Sequence, residues 1–166
     1  MVHKGHEFLI RRALELCDQV VVFIGSSQEQ GTPRNPFSYE RRKQMLGEVF
    51  SEEVEENRLL IRPLPDTGMG NNPNWGKYVL DTFYKEFLTL PDLYVTGCEK
   101  ERSSWFTNEL APNTDELRLT RHNIDISATE CREALLRGDY QKWVELIPNK
   151  LYNLYAALRQ ELEEVK

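Results

Sequence analysis

At 166 residues the chain is long enough to bury a core, and a formal net charge of −6 disfavours non-specific binding to a nucleic-acid backbone. No run of about eighteen apolar residues is present, so no membrane-spanning helix is expected, and the first residues lack the basic-then-apolar form of a secretory leader. Cys17, Cys98 and Cys131 are odd in number and widely separated, a pattern of reduced thiols in a cytoplasmic protein rather than a disulfide framework.

Phe8, Leu9, Ile10, Ala13, Leu14 and Leu16 recur at helical spacing and predict a helix over roughly 6–17. QVVVFIGSS is a β-branched run ending in glycine, hence a strand. SSQEQGTPRNPF, with Gly and two Pro, reads as a loop. Ser38 is placed to cap a helix that runs to about Phe50, without an acid three residues on to complete a capping box. RLLIRPL is a second strand, taken to stop at Pro63 and Pro65. PDTGMGNNPNWG is a long loop, and a helix follows over about 75–88. DLYVTG predicts a third strand, ERSSWFTNEL a short helix and ELRLTRH a fourth strand. SATECREALLRGDYQKWVELIP gives two short helices split at Gly138. Residues 148–166 form a terminal helix with Leu151, Leu154, Leu158 and Leu162 on one stripe. That stripe either packs on the parent sheet or serves self-association into a homo-oligomer.

Helices alternating with short apolar strands predict an α/β protein: a single domain over 1–166 built as a doubly wound, Rossmann-like parallel sheet with helices on both faces. Ligands bind such sheets beyond the carboxyl ends of the strands. FIGSS and YVTGC bring small residues to those ends.

Four stretches carry chemistry. HKGH stands at a helix entrance, where free N–H groups and the positive end of the helix dipole favour phosphate. Gly5 lets a ligand approach closely, and His3 and His6 can both donate to one phosphate. Two solvated histidines and a zinc site are the competing interpretations, and no third ligand stands at zinc spacing. ISATECR places Ser127 and Thr129 before a helix, with Arg132 near its start, so hydroxyls, backbone and guanidinium form a second phosphate cradle. The alternative is an ordinary capped helix. In GSSQEQGTPRNPFSYERRKQML the loop offers Ser26, Gln28 and Asn35, and Arg41, Arg42 and Lys43 cluster beyond it. A solvated basic face paired to Glu40 and Glu48 explains the cluster equally well. In NNPNWGKY, Trp75 can stack on a flat ring or belong to a core.

In this order, HKGH and ISATECR resemble the paired HxGH and ISxTxxR signatures of the nucleotidylyltransferase superfamily, across nearly the whole chain. GSSQEQGTPRNPFSYERRKQM and NPNW are similar to the short, archaeal-type nicotinamide mononucleotide adenylyltransferases. The resemblance implies transfer of AMP from ATP to a phosphorylated acceptor, with Mg²⁺ held mainly by phosphates and water. It implies that His3 and His6 meet the ATP phosphates, His6 nearest the α-phosphoryl, and that Ser127, Thr129 and Arg132 hold the β- and γ-phosphates. It places Arg42 with the nucleotide, although Arg41 replaces the acid that usually precedes it. Gly25 and Ser26 then line the strand end, Thr96 and Gly97 sit near adenine, Trp75 faces nicotinamide, and Asn72 or Asn74 reads its amide. A cytidylyltransferase, transfer to another phosphorylated acceptor such as pantetheine phosphate, and a nucleotide-binding protein without turnover are the alternatives. Family members carry a strand and a GxFxPxHxGH-type approach ahead of the first histidine. Here the chain starts at Met1-Val2, so the resemblance leads to an expected loss of the first central strand, and to weak turnover compared with a version extended upstream. Unpaired strand neighbours and a core gap each cost on the order of a few kcal/mol.

Overall fold

The computed structural model describes residues 1–68, 73–97, 106–107, 109–119 and 125–165. These residues fall into two compact units, one of Met1–Pro65 with Ile124–Lys166 and the other of Asp66–Asn123. Each holds a pair of parallel strands together with helices, the α/β composition that the sequence predicts.

The first unit opens with α1 (Lys4–Leu16). It starts two residues earlier than its periodicity suggests, because the extended His3 supplies the carbonyl for the first turn, accepting from the His6 and Glu7 amides at 2.9 and 3.1 Å. Ile10, Ala13 and Leu14 form its buried stripe. β1 (Val20–Gly25) follows, then α2 (Tyr39–Val49), a short α3 (Ser51–Glu55) and β2 (Leu59–Leu64). A parallel pair needs a crossover of this kind. The register runs from Val20 opposite Leu59 to Gly25 opposite Leu64. Ser38 caps α2, its hydroxyl accepting from the Arg41 amide at 3.1 Å.

Two expectations need correction here. Pro63 does not stop β2: it lies inside the strand, opposite Ile24. Among the described residues β2 pairs only with β1, so a residue lacking an N–H is tolerated on its outer side. The terminal segment is not one α-helix. It begins as a 3₁₀ turn, Asn149–Leu154, and becomes regular only later; Pro148 precedes the turn and supplies the carbonyl for its first bond, from Leu151.

The remaining elements of this unit are α5 (Ala128–Arg137), α6 (Tyr140–Leu146) and α7 (Tyr155–Glu163). Gly138 ends α5 in the left-handed conformation at φ +73°, accommodated because glycine has no Cβ. The core joins Ile24, Phe50 and Leu59 to Leu135, Trp143 and Leu158. Leu151, Leu158 and Leu162 are buried in that core, so the leucine stripe packs within its own chain.

In the second unit, α4 (Pro73–Phe87) precedes β3 (Leu93–Gly97) and β4 (Asp115–Leu119). β3 and β4 pair in parallel, Leu93 opposite Asp115 and Gly97 opposite Leu119. The short helix predicted within ERSSWFTNEL lies largely outside the described residues. Over the whole described chain, no helix is long and apolar enough to cross a membrane.

Candidate functional site

The residues of HKGH stand at the mouth of α1. His3 is its N-cap and buried, and no side chain caps the turn, so the Lys4 and Gly5 N–H groups at its start receive no acceptor from a cap. His3 and His6 stack with ring centroids 3.8 Å apart. His6 keeps a solvent-open side, yet its crowded surroundings push the imidazole down to about 4, with repulsion from the Met1 amine as the second cause. Gly5 lies within the first turn rather than ahead of it.

ISATECR builds the mouth of α5. Ser127 is the N-cap, its hydroxyl oxygen accepting from the Glu130 amide at 3.1 Å. Its own O–H remains a donor. The Arg132 guanidinium donates to the Thr129 hydroxyl at 3.1 Å, which turns the charge toward the helix start. Between them Cys131 is fully buried, and burial pushes its thiol up to about 11, so it contributes packing rather than reactivity.

The two mouths converge on the chain's first residue. The Met1 amine is pushed down to about 5 by burial, then by the positive charges of Arg132 and Arg42. The same amine acts on His6. His6, Arg132, Arg42 and this amine therefore lie within charge–charge reach of one spot. At neutral pH the amine and His6 are uncharged, so the positive charge beside the two helix N-termini comes from Arg132 and Arg42, and charge there suits an anion.

Gly25 ends β1, and Ser26 follows at φ +49°. The family resemblance implies that Arg42 meets the nucleotide. The structure directs its guanidinium to main-chain carbonyls: Nη1 donates to Gly25 at 2.8 Å, Nη2 to Ser26 at 2.9 Å, and longer bonds reach Glu29 and Ser38, each at 3.4 Å. The β1–α2 loop folds over the first turn of α2 and brings those carbonyls within reach. Asn35, expected as a free polar contact, is committed to the same loop, through Glu29 at 2.6 Å and Thr32 at 3.0 Å. Arg41 pairs with Glu161 of α7, its Nε donating at 2.7 Å, rather than with Glu40. Lys43 lies over the Tyr39 ring at 5.9 Å rather than pairing with Glu48.

Two residues were missed by sequence reasoning. Lys4, between the histidines, donates to the carbonyls of Val144 at 3.2 Å and Glu145 at 2.7 Å. Arg34 is exposed and, among the described residues, has no ion-pair or hydrogen-bond partner. Its only sequence signal was a cation set between two prolines in a loop.

The other expected residues lie in the second unit. Trp75 is half-buried on the first turn of α4, 5.4 Å from the Tyr78 ring and tilted 50° to it. Asn74 precedes it and is exposed. Thr96 and Gly97 end β3, opposite Arg118 and Leu119. Asn72 lies outside the described residues. No cluster of three His, Cys, Asp or Glu side chains arranged to hold a metal occurs among the described residues.

Comparison with known proteins bears on this geometry. A family model described as cytidylyltransferase-like matches residues 1–134. The nicotinamide-nucleotide adenylyltransferase of Thermococcus kodakarensis is 30% identical over 155 residues, covering 90% of this chain and 74% of that protein. The protein of the same name from Saccharolobus solfataricus is 26% identical over 166 residues, covering 98% and 90%. The crystal structure of a bifunctional NMN adenylyltransferase/ADP ribose pyrophosphatase from Francisella tularensis superposes with a TM-score of 0.75 at 24% identity, over 97% of this chain. This chain spans about half of that one, 48%, and the likeness shows the Rossmann-like fold. With HKGH and ISATECR at two converging helix mouths, the chain belongs to the cytidylyltransferase-like family of nucleotidyltransferase enzymes.

Proposed function

We propose that the chain transfers AMP from ATP to nicotinamide mononucleotide, giving NAD and pyrophosphate. The observation that carries this reading is the meeting of the uncapped α1 mouth, with its paired histidines, and the α5 mouth with Thr129 and Arg132 at one positively charged spot. The acceptor is inferred from relatives named for that substrate.

An oxygen of the acceptor's 5′-phosphate attacks the α-phosphorus of ATP. The bond from that phosphorus to the bridging oxygen breaks, and pyrophosphate leaves with the bonding pair. Such a step needs alignment and charge stabilisation more than covalent chemistry. His6, neutral with its pKa near 4, serves as a hydrogen-bond donor to the α-phosphoryl, with His3 stacked behind it. Arg132 provides the permanent positive charge for the outer phosphates, oriented by Thr129, with the Ser127 O–H as a further donor. Arg42 holds the Gly25–Ser26 strand end in shape and adds its field at longer range. Trp75, Asn72 and Asn74 remain the proposed contacts for the nicotinamide group, and Thr96 and Gly97 those for adenine.

The donors at these mouths suit phosphate oxygens rather than a metal ion. ATP would therefore carry Mg²⁺ on its own phosphates and water, and the ion would supply charge neutralisation for the leaving pyrophosphate. Nucleic acid is not a proposed partner, and a cytoplasmic setting accords with the free thiols of Cys17 and Cys131.

The test is product analysis with ATP or CTP against nicotinamide mononucleotide and pantetheine phosphate. NAD and pyrophosphate are expected from ATP with nicotinamide mononucleotide. Pyrophosphate release only with CTP would reassign the donor, and release with no pair would remove the reading.

A further inference from the structure

We propose that Lys4, the residue between the two histidines of HKGH, is a positioning residue that sets the separation of the two phosphate-binding helix mouths. The inference rests on the adenylyl-transfer reading for its activity readout.

The observation is the destination of its ammonium group. Nζ donates to the carbonyls of Val144 and Glu145, at 3.2 and 2.7 Å, in the last turn of α6. Carbonyls at a helix C-terminus have no partner within their own helix, and a cation there also meets the negative end of the dipole. The Tyr152 hydroxyl donates to the Val144 carbonyl at 2.8 Å, so that carbonyl is held from two sides.

The consequence follows from connectivity. α6 is joined to α5 through Gly138, with the Gly138 amide bonded to Leu135 and the Asp139 amide to Ala134. α5 runs away from its mouth at Ser127, and α6 packs against it on the return. The carboxyl end of α6 thus comes back beside the α1 mouth, where Lys4 takes hold of it. One side chain in the first turn of α1 is tied to the helical hairpin that presents Thr129 and Arg132. A triphosphate gripped from both mouths needs their spacing held closely, since displacements of about 1 Å cost up to about 100-fold in rate.

The experiment compares wild type, Lys4→Met and Lys4→Arg for ATP affinity by calorimetry, for kcat and for KM toward ATP and toward the acceptor, with Tm in parallel. Lys4→Met is expected to lower kcat/KM for ATP by about 10- to 100-fold while leaving the acceptor KM within about twofold. Lys4→Arg, which can still donate to two carbonyls, is expected to recover most of the loss. If Lys4→Met binds and turns over ATP within twofold of wild type, whatever its Tm, the Lys4 proposal is overturned while the adenylyl-transfer reading stands. If wild type itself neither binds ATP nor releases pyrophosphate, that reading fails and the Lys4 proposal falls with it.

Discussion

His3 and His6 stack with their ring planes 28° from parallel and centroids 3.8 Å apart. Two imidazolium ions at that separation repel, and burial holds His6 well below the usual histidine range, so the stack forms with His6 neutral. A neutral His6 explains how this mouth can offer N–H donors without fixing an anion in the free protein, and it makes the site's charge depend chiefly on Arg132.

The first prediction concerns that dependence. Arg132→Ala should reduce kcat/KM for ATP by about 100- to 1000-fold, the usual cost of losing a donor aimed at developing charge. Arg132→Lys should recover little, because an ammonium does not reproduce the planar fork that meets Thr129. Pyrophosphate release under steady-state conditions measures both, and full activity in Arg132→Ala would contradict the assignment.

A second prediction concerns pH. His6 has its folded pKa lowered from 6.5 to about 4. Between those values the unfolded chain carries a proton that the folded chain does not. Stability should therefore rise with pH across roughly pH 4 to 6.5, and fall as acid is added. Proton NMR of the His6 ring should titrate near pH 4 in the free protein. Chemical denaturation of His6→Gln should show a shallower pH dependence in the same window. A ring midpoint near 6.5 would mean that His6 is not held neutral in solution.

Arg42 yields a third. Its bonds run to backbone carbonyls, so Arg42→Ala should destabilise by about 1.5–3 kcal/mol through loss of charged hydrogen bonds. Arg42→Lys should remain clearly destabilised, since one ammonium cannot span Gly25, Ser26 and Glu29. Urea unfolding gives the comparison. Equal stability of Arg42→Lys and wild type would indicate that charge rather than the fork holds the loop.

The fourth concerns Gly138. A Cβ there would lie 2.8 Å from Nη1 of Arg159 and would impose a side chain at φ +73°. The arginine tip can move aside, so the backbone conformation dominates the cost. Gly138→Ala should lose about 1–2 kcal/mol, and Gly138→Asn less. Thermal unfolding of the two variants tests the order.

Much of this was legible in the residues. Period and β-branching located β1, β2 and β3; Ser38 and Ser127 marked helix starts; Gly138 marked a helix end. HKGH and ISATECR were readable because their chemistry sits at local helix starts, where sequence neighbours are also spatial neighbours. What was not legible depends on distant chain. Lys4 meets carbonyls 140 and 141 positions away, and Arg41 meets Glu161 across 120 positions. Arg42 is tied to the nucleotide only through the family resemblance, and its bonds to the Gly25 and Ser26 carbonyls follow from the path of the preceding loop, which local sequence does not show. Pro63 was taken as a stop, since a sequence does not tell which side of a strand lacks a partner.

The unit that carries both mouths is discontinuous in sequence, with Asp66–Asn123 intervening. During synthesis, α1 and β1 leave the ribosome early, whereas Ser127, Thr129 and Arg132 emerge only after the whole intervening segment. Leu158 and Leu162, which bury against the early strands' core, come later still. The triphosphate grip consequently cannot assemble before the segment through α7 has emerged, and ATP added during translation should protect only chains that extend past it.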